Sequence, residues 1–135
     1  MTKRTIYLAG SMENVSLTEA TSWRDTATYL LEEHYKVLNP CRRIHSFNTK
    51  EFKKIFELDL RDIQESDIIL VNLCNPKLAK HGTAMEVFYA NYILRKPVVA
   101  FKDDASVKHP FFEQLVTEWH SNVNDAAVSC VENYL

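Results

Sequence analysis

A continuous apolar segment, Asp67-Ile-Ile-Leu-Val-Asn-Leu73, constrains the fold of this chain more than any other feature. Its nearly unbroken run of aliphatic residues predicts a β-strand covered on both faces, because a strand with one face in water alternates polar and apolar residues. Such strands are typical of parallel sheets with helices packed on both sides. The segment therefore predicts an α/β protein.

Strand-like and helix-like patterns alternate along the rest of the chain. Further strands are expected at Thr5–Ala9, Lys36–Leu38 and Pro97–Phe101. Helices are expected to begin at the capping-box spacings Ser16-Leu-Thr-Glu19 (running to about His34) and Asn48-Thr-Lys-Glu51, and to span Thr83–Leu94, His109–Trp119 and Asp125–Tyr134. The alternation predicts one domain over residues 1–135, with a doubly wound, mainly parallel sheet of the flavodoxin-like or Rossmann-like kind.

The composition is that of an ordinary globular domain. Of 135 residues, 46% are hydrophobic and 25% are charged, which argues against disorder and coiled coil. A net charge of −2 gives no general attraction to nucleic acid polymers or acidic membranes. No apolar run approaches the roughly 18 residues of a membrane span. Three widely spaced cysteines, without a zinc pattern or a signal peptide, indicate reduced thiols and a cytoplasmic location.

Ligands of doubly wound sheets bind beyond the carboxyl ends of the strands. In this chain those ends are Gly10-Ser11-Met12, Asn39-Pro40, Leu73 to Gly82, and Phe101-Lys102-Asp103. The chain has only two glycines, Gly10 and Gly82, and both lie at these ends. We expect them where the backbone needs special angles or approaches a ligand closely.

Asp59 interrupts the apolar pattern of its predicted helix. It lies in a stripe formed by Phe52, Ile55, Phe56 and Ile63, where a leucine would be expected. One interpretation is that the stripe ends early and Asp59 caps a neighbouring loop. The other is a functional carboxyl group whose pKa is raised by desolvation.

Glu86 and Tyr7 also admit two interpretations each. Thr83-x-x-Glu86 has capping-box spacing, so Glu86 either bonds the Thr83 amide or faces the cleft as an ionised carboxylate near a helix N-terminus. Tyr7, two residues before the end of its strand, is either a core residue or the holder of a cleft carboxylate.

Several common sites are missing from the sequence. There is no dinucleotide or triphosphate glycine loop, no Gly-x-Ser-x-Gly elbow, no metal-binding histidine spacing and no set of receiver-domain acids. A tyrosine and two carboxyl groups remain around one cleft. Two carboxyl groups, one nucleophilic and one acidic, are what cleavage at an anomeric carbon requires.

The chain resembles the nucleoside 2-deoxyribosyltransferase family, which includes related N-glycosidases of deoxynucleoside monophosphates. The resemblance spans residues 5 to about 101 and lies in the segments Ile6–Ser11, Val37–Pro40, Asp59–Val71, Gly82–Ala90 and Lys96–Phe101. It implies that Glu86 is the nucleophile, Asp59 the catalytic acid and Tyr7 the residue that positions the nucleophile.

The same resemblance implies the remaining site residues. Substrate-binding positions would be Gly10, Ser11, Lys80, Gly82 and Met85, with Asn122 or Asn124 contributed by a neighbouring subunit of a homo-oligomer. Lys80 departs from the family, whose transferases tend to carry an acid there and whose nucleotide hydrolases carry a phosphate-contacting serine. Met12, Arg43 and Phe47 are expected to lie against the base.

We therefore expect transfer of 2-deoxyribose between nucleobases through a deoxyribosyl-glutamate intermediate, as in nucleotide salvage. No metal or redox cofactor is needed, since the carboxylate itself stabilises the sugar cation. The alternatives are a deoxynucleoside 5′-monophosphate N-glycosidase on the same residues, a non-catalytic nucleotide-sensing module, and a purely structural domain. The last leaves Asp59 unexplained.

Overall fold

The computed structural model describes residues 2–12, 15–43 and 51–135. The strands are β1 (Arg4–Gly10), β2 (Tyr35–Leu38), β3 (Ile68–Asn72), β4 (Val98–Phe101) and β5 (Glu118–His120). The α-helices are α1 (Leu17–Leu31), α2 (Phe52–Glu65), α3 (His81–Phe88), α4 (Pro110–Leu115) and α5 (Val123–Asn133). A 3-10 helix spans Pro40–Arg43, and α3 continues as a π-helical turn, Tyr89–Ile93.

The five strands form one parallel sheet in the order β2-β1-β3-β4-β5. This confirms the expected doubly wound, flavodoxin-like α/β fold. The order reverses direction between β1 and β3, which is where such sheets form a crevice for ligands. Tyr7 of β1 stands beside Ile69 of β3 at this point.

Helices cover both faces of the sheet. Ile6 and Leu8 of β1 pack with α1 and α5 on one face, whereas Tyr7 and Ala9 pack with α2, α3 and α4 on the other. Successive residues of a strand point to opposite faces, so β1 contributes to both cores. Residues 68–71 of β3 are fully buried, as their continuous apolar run predicts.

The N-terminus of α1 follows its sequence signal. The Ser16 hydroxyl accepts a hydrogen bond from the Glu19 amide at 3.1 Å, so Ser16 is the expected N-cap. The helix ends at Leu31 instead of continuing to about His34. The predicted start of α2 at Asn48 lies outside the described residues. That helix begins at Phe52, after Glu51, with no side-chain cap.

The prediction of one helix over His109–Trp119 is wrong. The chain there forms the short helix α4 and then the edge strand β5. Pro110 is at the first helical position and the His109 side chain accepts from the Phe111 amide, which fixes the start of α4. Three half-buried strand residues are too few to give an alternating pattern, so the sequence did not signal β5.

Cys41, Cys74 and Cys130 are free thiols, as expected. Over the described ranges, no helix has the length and apolar character needed to cross a membrane.

Candidate active site

Tyr7 and Glu86 meet at the crevice between β1 and α3. Tyr7 is only 1% exposed, and its hydroxyl donates a 2.7 Å hydrogen bond to Glu86 Oε2. Glu86 lies in the second turn of α3, whose N-cap is Lys80 and not Thr83. The capping-box interpretation is therefore wrong, because Thr83 is the third helical residue and the Glu86 carboxylate is bonded to Tyr7.

Burial dominates the electrostatics of Glu86. Desolvation raises its pKa to about 7, the bond from Tyr7 opposes this, and the charge of Asp59 adds to it. We expected a carboxylate kept ionised by the helix N-terminus. Instead, Glu86 sits beyond the first turn, where the helix dipole is weak, and titrates near neutral pH.

Asp59 is the second acid, and α2 presents it to the 3-10 helix. Arg43 Nη1 donates to Asp59 Oδ1 at 2.8 Å. Burial raises the pKa of Asp59 to about 6, while Arg43 lowers it and Asp62 raises it. The partner of Asp59 is thus an arginine side chain rather than a loop amide, which disfavours the capping interpretation.

The apolar stripe proposed around Asp59 is only partly buried. Ile63 is completely buried, but Phe52 and Phe56 are 68% and 54% exposed. The N-terminal half of α2 therefore leaves its aromatic side chains uncovered in this chain.

Sequence reasoning missed the arginine and aspartate network beside Asp59. Asp62 Oδ2 accepts from Arg42 Nη2 at 2.7 Å and from Arg43 Nη2 at 2.6 Å. Arg43, expected against the base, instead bridges Asp59 and Asp62. The available signal was an Arg-Arg pair just after a strand end, together with two aspartates three residues apart on one helix face.

The two glycines do not have the special backbone angles we expected. Neither has positive φ. A Cβ on Gly10 would lie 2.9 Å from Trp23 Cζ2, so this residue is small because α1 packs against the end of β1. A Cβ on Gly82 would meet nothing within 4 Å. The special-angle half of that expectation is wrong at both positions, whereas close approach to a ligand and a role in substrate binding stay predictions.

The loop before α3 is tied to the crevice by side-chain bonds. Ser11 Oγ donates to the Ala79 carbonyl at 2.8 Å, joining the end of β1 to this loop. The Lys80 ammonium donates to the carbonyls of Asn75 (2.8 Å) and Leu78 (3.2 Å). Lys80 is half-buried, and two of its three N–H groups are therefore used within its own loop.

The side chains of Met85, Asn122 and Asn124 form no hydrogen bond with the Tyr7–Glu86 pair in this chain. Met85 is 63% exposed and lines an apolar groove of about 680 Å³ between α3 and α4. Asn122 is the N-cap of α5, accepting from the Asp125 amide at 2.8 Å, and Asn124 is exposed. Neither asparagine bonds to Tyr7 or Glu86 in this chain, and their role in a neighbouring site stays a prediction. Met12 is 36% exposed, and Phe47 lies outside the described residues.

The arrangement brings together two acids that titrate close to neutrality. One is held by a tyrosine hydroxyl and the other by an arginine. Such a pair supplies a nucleophile and a proton donor. Among the residues with described positions, no group of histidine, cysteine and acidic side chains has the arrangement of a metal site.

Fold and site together define a flavodoxin-like domain with a half-buried carboxyl pair near the β1–β3 crevice. The family model described as nucleoside 2-deoxyribosyltransferase like matches residues 3–105. The chain belongs to this family. Among curated proteins, none matches the chain significantly.

Solved structures share the fold over nearly the whole chain. A 2-deoxyribosyltransferase from Bacillus psychrosaccharolyticus is 23% identical with a TM-score of 0.73, covering 97% of this chain and 92% of that one. A 2-desoxiribosyltransferase from Leishmania mexicana is 18% identical with a TM-score of 0.75, covering 98% and 99%. A conserved protein from Enterococcus faecalis V583 is 18% identical with a TM-score of 0.72, covering 93% and 96%.

Proposed function

We propose that this protein transfers 2-deoxyribose between nucleobases by cleaving the N-glycosidic bond of 2′-deoxynucleosides. The observation that carries the proposal is the 2.7 Å bond from Tyr7 to Glu86, a carboxyl group whose pKa the charge of Asp59 also raises. The bond fixes Oε2, which leaves Oε1 as the atom for attack. Membership of a nucleoside 2-deoxyribosyltransferase-like family supports the substrate class.

The reaction is a double displacement. Glu86 Oε1 attacks C1′ of the sugar while the bond from C1′ to the base nitrogen breaks. The bonding electrons pass to the base, which takes a proton from Asp59. A nitrogen of a second base then attacks C1′, Glu86 leaves as the carboxylate and Asp59 recovers a proton. Two inversions give net retention.

The two acids together can hold the one proton that this chemistry needs. Burial raises the pKa of Asp59 to about 6 and that of Glu86 to about 7, so the pair holds one proton near neutral pH, and Glu86 binds it more tightly than Asp59 does. The reactive form, with Glu86 ionised and Asp59 protonated, is therefore the less populated of the two singly protonated forms. The Tyr7 hydroxyl favours the ionised form of Glu86. When Asp59 is protonated, Arg43 keeps its second bond to Asp62 and so stays in place.

The alternative function uses water as the acceptor and a deoxynucleoside 5′-monophosphate as the substrate. Lys80 is the observation that favours it, since its half-buried ammonium retains one N–H beyond the two loop carbonyls. An ammonium group suits a phosphate. A nucleotide-sensing module without catalysis is less favoured, because two half-buried acids would repel phosphate groups without any chemistry to justify them.

We also propose that the protein works as a homo-oligomer. Met85, Phe88 and Phe111 are exposed along the apolar groove between α3 and α4, and a second copy would cover them. A neighbouring copy would also bring Asn122 or Asn124 to the site. Sedimentation velocity of wild type and Phe88→Ser tests this, and a wild-type monomer at micromolar concentration contradicts it.

One assay tests the proposed function. The protein is incubated with a deoxynucleoside and a different free base, and the products are separated by chromatography. A new nucleoside supports transfer, free base alone supports hydrolysis, and neither product supports a binding role. Glu57→Gln is the matched control, because Glu57 is an exposed acid on the same helix as Asp59.

A further inference from the structure

Arg24 is a fully buried cation that takes no part in the reaction steps proposed above. It lies on α1 with 0% of its surface exposed. Its guanidinium donates to three carbonyl oxygens, those of Ala20 (2.6 Å), Gly10 (3.1 Å) and Leu8 (3.4 Å). Across the described ranges it forms no ion pair. A buried charge without a carboxylate partner is costly, so its presence calls for a reason.

The bonds of Arg24 join the elements that carry the site. Leu8 and Gly10 belong to the end of β1, the strand that presents Tyr7. The Ala20 carbonyl that accepts from Arg24 also accepts a 3.6 Å bond from the Cys41 thiol, in the 3-10 helix that carries Arg43. Arg24 therefore binds the strand that presents Tyr7 directly, and it is linked through the Ala20 carbonyl to the 3-10 helix whose Arg43 contacts Asp59.

Local packing is arranged around this cation. Arg24 stacks on Trp23, with its Cζ 4.7 Å from the ring centroid. A Cβ on Gly10 would approach Arg24 Nη2 to 3.3 Å and the Trp23 ring to 2.9 Å. The absence of a side chain at Gly10 makes room for the pair.

The charge of Arg24 also acts on the acids across the strand. Burial is the main influence on the Glu86 pKa, with the Tyr7 bond and Asp59 next. Arg24 lowers that pKa and Asp62 raises it. At Asp59 the order after burial is Arg43, Asp62, Arg42 and Arg24, and Arg24 again lowers the pKa. The cation thus favours the ionised form of both groups.

We propose that Arg24 is a positioning residue that holds the end of β1 and the 3-10 helix in the arrangement that presents Tyr7 to Glu86, and that its positive charge favours the ionised form of Glu86. The catalytic consequence of this inference rests on the proposed nucleophilic role of Glu86. The charge itself acts on Glu86 whatever reaction the site performs.

The test compares Arg24→Gln, which keeps amide donors but loses the charge, with Arg24→Lys, which keeps the charge but loses the planar fork. The Glu86 carboxyl is titrated by ¹³C NMR in each protein. In Arg24→Gln its pKa should rise by roughly one unit, the scale of a charge acting across a partly buried site. In Arg24→Lys it should stay close to the wild-type value.

Kinetics supply the second readout. In Arg24→Gln the acid limb of the kcat profile should move to higher pH together with the Glu86 titration. In Arg24→Lys, kcat should fall about tenfold at all pH values. Lysine keeps the positive charge but cannot make all the bonds of the guanidinium, and even a small displacement of Glu86 from the reacting carbon lowers the rate. Leu31→Ala is the control: it empties part of the core of the same helix and should lower Tm without moving either pH midpoint.

An unchanged Glu86 titration in folded Arg24→Gln overturns the proposal. If Arg24→Gln does not fold, Arg24→Lys decides, and a wild-type kcat in that variant overturns the positioning role. The NMR titration needs no turnover. A shifted titration in a protein without transferase activity would refute the proposed function and leave the electrostatic role of Arg24 standing.

Discussion

The Tyr7 hydroxyl donates a 2.7 Å hydrogen bond to Glu86 Oε2, and 79 positions of sequence separate the two residues. The bond crosses from the first strand of the sheet to the helix that follows β3. It is a short bond from a buried hydroxyl to an ionisable oxygen of a half-buried side chain, and bonds to ionised groups away from water are strong. The bond therefore holds Oε2 of Glu86 in place and leaves Oε1 free to attack the substrate in the proposed reaction.

Removing the Tyr7 hydroxyl should impair catalysis more than folding. In Tyr7→Phe we expect kcat to fall roughly 10–100-fold, with a larger loss at pH 6 than at pH 8, since the lost bond favours the ionised form of Glu86. The measurement is kcat and KM against pH. Tyr35→Phe is the control, because Tyr35 donates a bond of the same length to the Cys130 carbonyl on the opposite face of the sheet. It should cost about 1 kcal/mol of stability and no activity. Equal kinetic losses in both variants would contradict the role of Tyr7.

Replacing the nucleophile should remove turnover and the covalent intermediate together. We expect Glu86→Ala to lower turnover at least about a thousandfold, as loss of a covalent nucleophile does. Intact-mass measurement after mixing wild type with a deoxynucleoside should reveal a deoxyribosyl adduct that the variant lacks. An adduct that forms equally on Glu86→Ala would assign the nucleophile elsewhere.

The half-buried carboxyl group of Glu86 should make stability fall as pH rises. The Glu86 pKa is raised from 4.5 to about 7 by burial. As pH rises from about 4.5 to about 7, the unfolded chain ionises first and the folded state loses stability relative to it. Glu86→Gln cannot ionise, so it should match wild type near pH 4.5 and exceed it by about 1–3 kcal/mol above pH 7. Urea unfolding at pH 4.5, 6 and 8 measures this. A difference independent of pH would show that Glu86 titrates normally.

Substitution of Asp59 should separate substrates by their leaving group. Asp59→Asn keeps an oxygen for Arg43 but has no proton to give, so activity should fall mainly with bases that need protonation on departure. Stability should be retained or improved, because a buried amide costs less than a buried charge. Relative kcat/KM for a set of bases checks this against Glu57→Gln. A lower Tm with activity retained would make Asp59 a structural residue.

Lys80 decides between the two candidate substrates. If its remaining N–H meets a 5′-phosphate, Lys80→Ala should cost the monophosphate roughly 1.5–3 kcal/mol in kcat/KM and spare the nucleoside. The exposed Lys77, two residues into the same loop, gives the control Lys77→Ala. Small and equal effects on both substrates would leave Lys80 as the clamp of its own loop.

The sequence was sufficient to predict strands and helix caps, which depend on local pattern. It was least informative about contacts between side chains that are far apart along the chain. The buried strand β3 and the Ser16 cap followed from local pattern, because their neighbours along the chain determine them. The partner of Glu86 did not follow from local pattern, because Thr83-x-x-Glu86 has capping-box spacing and Tyr7 lies 79 positions away. Only the family resemblance paired Tyr7 with Glu86. The packing of α3 against β1 determines that the partner is the Tyr7 hydroxyl and not the Thr83 amide.

Arg24 shows the same limit more sharply. In sequence it is one arginine on an amphipathic helix, which is normally a solvated side chain. Its burial follows from the gap at Gly10 and from carbonyls on another element, neither of which is visible in a local window. The edge strand β5 was not predicted for a simpler reason, because three residues are too few to show the alternating pattern of a strand.

The burial of Glu86 also bears on how this protein responds to selection. Above neutral pH the folded chain carries a desolvated carboxylate whose removal makes the chain harder to unfold. A screen of a variant library at alkaline pH for heat resistance alone will therefore enrich variants in which Glu86 is replaced by an uncharged residue. Near pH 5 the Glu86 carboxyl is protonated in the folded chain, so its replacement gives no such advantage. Screening the same library at that pH therefore selects variants that are stabilised elsewhere in the protein.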